Sequence, residues 1–165
     1  MKSQPKIKLP LSLKDITIEL VCIVILIITW ILPLVVYNDL PEEIAIHFNA
    51  KGIPDSYGPK SSLFSLPIFS LLLFLLLTIL NKYPHTFNYP VEITEENALK
   101  QYTLSTRFIR FLKLSILIVF LFIVYKSISL NPEGLGNFFL PFVFIITFVP
   151  VFVYLIKVMR SQKDT

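Results

Sequence analysis

The sequence predicts an all-α integral membrane protein with four transmembrane helices, and three observations carry that prediction. Hydrophobic residues make up 55% of the 165 residues and charged residues only 16%, where soluble domains carry about 25% charged residues. Four apolar runs, at 16–37, 63–81, 110–130 and 138–157, are each about as long as the roughly 20 helical residues that cross a hydrocarbon core of about 30 Å. The charges are also segregated. With four crossings both termini share a side, and that side receives twelve of the 15 lysines and arginines, leaving Lys51, Lys60 and Lys126 for the other. This is the positive-inside bias, and it predicts a multi-pass protein of the cell (inner or cytoplasmic) membrane, N-in and C-in. The net charge of +4 and sequence pI of about 9.2 therefore follow from membrane flanks, and no nucleic-acid partner is expected.

The first run follows a basic tail with Lys2, Lys6, Lys8 and Lys14. It is too long for a signal-peptide core and no A-x-A-like site follows it, so it reads as an uncleaved anchor. Its Cys22 is the chain's 1 cysteine; without a partner it reads as packing. Residues 38–62 form an outer loop. In the second run, nine Leu, three Phe and two Ile between Leu63 and Leu80 favour insertion by about 4 to 8 kcal/mol before Pro67 and the Ser/Thr residues are counted against it. Residues 82–109 form an inner segment. There Tyr83-Pro84 and Tyr89-Pro90 force extended geometry, Asn88 to Ile93 reads as extended and as half of a small hairpin, and Thr94-Glu95-Glu96 reads as a helix start. The stripe Leu99, Tyr102, Thr106, Ile109, Lys113 then predicts an interfacial helix with its apolar side on the bilayer, running into the third span.

That third span is short between its charges. Lys113 and Lys126 bracket about 18 Å of helix, and both are expected to snorkel to the headgroups. A second outer loop, 131–137, shares an Asn and a Pro-Glu pair with the first (Pro41-Glu42, Pro132-Glu133). Pro33, Pro67, Pro141 and Pro150 lie in spans, where neighbours must satisfy the carbonyl each frees, and Pro150, near the middle of the fourth span, is the best kink candidate. A single membrane domain, 1–165, accounts for the whole arrangement.

The chemistry concentrates in the outer loop. Glu42 to Ile46 alternates charged and apolar residues as a strand does. Pro54-Asp55 and Gly58-Pro59 mark turns, and Gly52 offers permissive backbone angles. His47 leaves four roles open: metal ligation, pH sensing, contact with a partner, or shaping the loop together with Asn49. A metal wants three or four ligands at defined spacing, and His85 lies on the other side of the membrane, so neither metal nor cofactor is expected. The deep polar positions are Thr29, Ser70, Thr78, Ser115 and Thr147. Glu19, near the end of the first span, needs no buried role, and ion-coupled transport is not expected. No nucleophile–base pair, HExxH or GxSxG occurs, so a non-catalytic protein is expected.

The pattern Leu40-Pro41-x-x-Ile44-x-Ile46-His47-Phe48-Asn49-x-x-Gly52-x-x-Asp55, flanked by membrane helices, resembles the bacterial membrane family of the domain of unknown function 1648, over roughly residues 26–80. That domain also begins the SdpI-type proteins. The inner segment is similar to stand-alone members, in which Asn88-Tyr89-Pro90 and Ile93-Thr94-x-x-Asn97 recur, with His85 just before them. SdpI-type proteins confer immunity to a secreted toxic peptide and hold a transcriptional repressor at the membrane. The resemblance implies that Pro41, His47, Asn49, Gly52 and Asp55 carry the outer motif, to which Phe48 is added as a contact residue. The further helices of the longer SdpI-type proteins have no counterpart here, and this sets the immunity and repressor roles apart from the family membership. The expected function is an immunity-like or signal-relaying receptor in the lipid bilayer, whose outer loop meets an extracellular peptide or envelope partner. The alternative is a structural or accessory subunit of a larger membrane complex.

Overall fold

A computed structural model describes residues 4–129 and 134–161. The Pro132-Glu133 pair and the outermost tail lysines, Lys2 and Lys163, lie outside the described residues. In chain order the elements are α1 (Leu13–Val36), β1 (Glu43–Phe48), β2 (Pro54–Pro59), a 3-10 turn (Lys60–Phe64), α2 (Ser65–Leu80), a short 3-10 turn (Pro84–Thr86), α3 (Ala98–Ile128) and α4 (Phe139–Ser161). Four helical stretches are long and apolar enough to cross a membrane: Leu13–Val36, Lys60–Leu80, Ala98–Ile128 and Phe139–Arg160. The predicted four-span helical architecture stands, with one small sheet confined to the loop between α1 and α2.

α1 begins at Leu13 because Ser12 caps it. Ser12 Oγ accepts from the Asp15 amide at 3.3 Å and the Asp15 carboxylate accepts from the Ser12 amide at 3.0 Å, a capping box that satisfies two orphan donors. α3 is the hub and packs against each of the other helices. Its 31 residues make about 46 Å of helix, well beyond a hydrocarbon core of about 30 Å. The interfacial helix and the third span are thus one continuous rod. The buried face of its first turns carries Gln101, Tyr102, Ser105 and Thr106. This corrects the expected apolar side on the bilayer: the hydroxyls are covered by protein because carbonyls wait there. Tyr102 donates to the Pro5 carbonyl at 2.9 Å and Thr106 to the Tyr102 carbonyl at 2.8 Å. Unpaired in hydrocarbon, each would carry a desolvation cost of several kcal/mol.

Two apolar clusters mark the two halves of the bundle. Leu40, Ile44, Leu63 and Val124 close the end that carries the hairpin. Ile18, Cys22 and Leu117 pack further along, and Cys22 is fully buried there. The prolines divide by position. Pro67 and Pro141 fall in the first turns of α2 and α4, where the missing amide has no intrahelical role. Pro150 lies inside α4 and frees the Ile146 carbonyl one turn back; the Ser115 hydroxyl of α3 reaches it at 2.7 Å, re-satisfying it across the helix pair.

Candidate functional site

The hairpin is built from β1 and β2, antiparallel, with Glu43 opposite Pro59 and Phe48 opposite Pro54 and register irregularities on either side of His47. Pro54-Asp55 and Gly58-Pro59, read from sequence as turns, lie within β2. A two-stranded ribbon has two free edges, so a strand that lacks proline amides is tolerated there. Asn49 organises the turn. Its side-chain carbonyl accepts from the Lys51 amide at 2.9 Å and the Ile53 amide at 3.2 Å, while its own amide donates to the Ile53 carbonyl. The irregular register re-aims His47, whose Nδ1 lies 2.5 Å from Asp55 Oδ1 with the two side chains 68% and 42% exposed. His47 therefore pairs with a side chain, while Asn49 shapes the backbone.

The second outer loop locks onto this turn. The Leu135 amide donates to the Gly52 carbonyl at 2.8 Å. Gly52 has φ +77 and a Cβ there would stand 2.7 Å from the Gly136 carbonyl; one on Gly134 (φ +61) would collide with the Gly52 carbonyl. Only glycine satisfies both the left-handed angle and the close approach. Phe48 is half-buried and Pro41 exposed. Beneath the hairpin lies a mostly apolar cavity of about 300 Å³, walled by Ile44, Phe48, Leu63, Ile123, Ser127 and Phe139 among others. The outer residues named from sequence thus share one cap, except that Pro41 stands before β1.

The inner residues gather at the opposite end. The Tyr89 hydroxyl donates to the Pro84 carbonyl at 2.8 Å and lies 2.9 Å from Ser105 Oγ, with its ring 5.6 Å from Tyr102. Burial pushes the Tyr89 phenol above its ordinary range, against the opposing pull of Ser105. Thr94 and Asn97 bond reciprocally at 3.0 and 3.3 Å, the Thr94 hydroxyl accepting from the Asn97 amide as its capping role predicts, and Asn97 also donates to the Glu92 carbonyl; regular helix begins at Ala98. Asn88 and Pro90 are exposed, and His85 meets Tyr83 edge-on at 6.3 Å. The extended hairpin expected at 88–93 does not form: among the described residues the strands are β1 and β2 alone. Proline removes ladder donors from that stretch, and the half-buried Tyr89 anchors it instead. Gln4 donates to the Phe87 carbonyl at 3.0 Å, tying the amino-terminal arm to the same packing.

Sequence reasoning missed a buried charge cluster beside this segment. Asp15 and Glu19 of α1 face Arg107, Arg110 and Lys113 of α3. Arg107 donates to both Asp15 oxygens at 2.8 and 3.2 Å. Lys113, 1% exposed, donates to Glu19 at 2.5 Å and to Thr78 at 2.9 Å, with Phe74 as a cation–π partner at 4.5 Å. Lys113 does not snorkel, and Glu19 does have an inward role. The reason is pairing: leaving one ion unmatched inside the bundle costs several kcal/mol, and each here meets its opposite. The signal lay in the spacing, acids at i and i+4 on α1 against cations at i, i+3 and i+6 on α3, near the same ends of helices that proved to be neighbours.

The fold and these two sites define a multi-pass membrane protein with a capped loop at one end and a buried ion cluster towards the other. Residues 24–71, from the middle of α1 through the hairpin into α2, match the family model described as a domain of unknown function, DUF1648. An uncharacterised protein of Archaeoglobus fulgidus is 30% identical over 142 residues, 76% of this chain and 76% of that protein. The chain belongs to the DUF1648 family. No solved structure matches it.

Proposed function

We propose that the chain is a non-catalytic, signal-relaying receptor, immunity-like in type, whose hairpin faces outside the cytoplasm and meets a peptide or envelope partner. One observation carries the reading. α3 is continuous from Ala98 to Ile128; its far end walls the cavity under the hairpin through Ile123 and Ser127, and its first turns hold Tyr89 of the inner segment through the Tyr102 ring and the Ser105 hydroxyl. A partner wedged beneath the hairpin presses on the same rod that orders the inner segment, so occupancy at one end biases packing at the other. The half-buried Phe48 and the exposed His47–Asp55 pair supply an apolar anchor with a polar rim, the composition of a recognition patch. The crowding of lysines and arginines at the opposite end supports the orientation.

The interlock of Gly52 with the second outer loop favours a second reading, in which the cap only braces the helices of an accessory subunit. In-cell photo-crosslinking from Phe48, with Lys100 as an inner probe, separates the two. A discrete intermolecular adduct at Phe48 supports the receptor; exclusively intramolecular products overturn it in favour of the brace. His47→Ala gives an independent readout, since a receptor loses response at unchanged abundance and a brace loses abundance first.

A further inference from the structure

A second cavity lies beside the ion cluster. It encloses about 470 Å³ and is walled by the amino-terminal arm, the start of α1, the end of α2 and the first turns of α3. Lys8, Lys82, Arg110, Asp15 and Glu19 all line it. The two carboxylates are already engaged, Asp15 by Arg107 and Glu19 by Lys113. The lining itself holds three cations, Lys8, Lys82 and Arg110, against those two carboxylates, with Arg107 and Lys113 paired to the carboxylates from outside it. Two groups in its wall have buried atoms without a hydrogen-bond partner. Arg110 is 7% exposed; its Nε lies 3.1 Å from Glu19 without an aligned hydrogen bond, and its Nη1 is 4.0 Å from Asp15. Asn81 has both side-chain amide atoms buried and unpartnered. Buried polar groups are hydrogen-bonded as a rule, and a guanidinium and a side-chain amide lining one cavity are donors of the kind that take a phosphate. The apolar wall of Ile7, Leu9 and Leu11 suits the carbon skeleton to which such a group is esterified.

The geometry points to a binding site for an anionic phosphate group, carried by a lipid headgroup or free in solution, held by Arg110 and Asn81 and steered by Lys8 and Lys82. It is independent of the receptor reading and survives a failed crosslink at Phe48. The test uses the full-length purified protein, with thermal unfolding and native mass spectrometry in the presence of phosphatidylglycerol, phosphatidylcholine or inorganic phosphate. A discrete phosphatidylglycerol adduct with a raised Tm, unmatched by phosphatidylcholine, supports the site with a lipid source; stabilisation by inorganic phosphate alone supports it with a soluble source. Arg110→Lys keeps the charge and removes the fork, and weakens binding roughly tenfold or more. Should that variant fail to fold, the exposed double change Lys8→Glu with Lys82→Glu serves in its place, with Lys100→Glu as an exposed control outside the cavity. The site is overturned if neither phosphate form stabilises the protein, if phosphatidylcholine matches phosphatidylglycerol, or if Lys100→Glu weakens binding as much as the double change.

Discussion

The two ends of this bundle solve the same problem, fixing polar chain against apolar helices, by opposite means. At the hairpin end the holding runs through backbone amides: two of them donate to the Asn49 side chain to close the turn, and the Leu135 amide donates to the Gly52 carbonyl. At the other end the side chains hold: Arg107 grips Asp15, Lys113 grips Glu19, and the half-buried Tyr89 and buried Tyr102 reach carbonyls. Burial makes the difference. The His47–Asp55 pair is more than a third exposed on both sides, so solvent screens it and little stability depends on it. Lys113 is enclosed, so its charge must be matched within the protein. The ion pair at one end is therefore exposed to solvent, and the pairs at the other are committed to each other.

The largest test of that contrast is Lys113→Met. It leaves Glu19 short of its main partner and is expected to cost about 3–5 kcal/mol, while the paired change Glu19→Leu with Lys113→Met recovers most of the loss. Reversible unfolding in mixed micelles measures both, and a single-variant loss below about 1 kcal/mol would show the cluster to be solvent-screened like the hairpin pair. Next is Gly52→Ala, where a side chain must adopt φ +77 against the Gly136 carbonyl. A loss of about 1–3 kcal/mol is expected, with faster proteolysis of both outer loops; cleavage in the first loop alone breaks the claim that they interlock. Ser115→Ala removes the donor to the carbonyl that Pro150 frees, for about 0.6 to 1.7 kcal/mol. In the Pro150→Ala background the same change should cost less, and equal losses in both backgrounds would dissociate the two residues. Smallest is Asp55→Ala, at about 0.2–1 kcal/mol or less at physiological salt. A larger effect, insensitive to salt, would erase the distinction between the two ends.

The sequence by itself determined the spans, because insertion depends on summed side-chain transfer energies that are local and additive along a helix. It also determined that β1 is strand-like and that Gly52 sits where the backbone must turn, since alternation and turn chemistry are properties of a few neighbouring residues. Hydropathy began the first span at residue 16, whereas the capping box of Ser12 and Asp15 starts α1 at Leu13. Only the tertiary structure decided what the charges do. Lys113 read as a snorkelling end residue and Glu19 as an idle one until α1 and α3 were set side by side with acids facing cations. It likewise decided that Ser115 serves Pro150, that Gly134 seats against Gly52, and that Arg110 and Asn81 share a cavity wall. Each of these is a relation between residues far apart in the chain, whose energy exists only once packing brings them within hydrogen-bond distance.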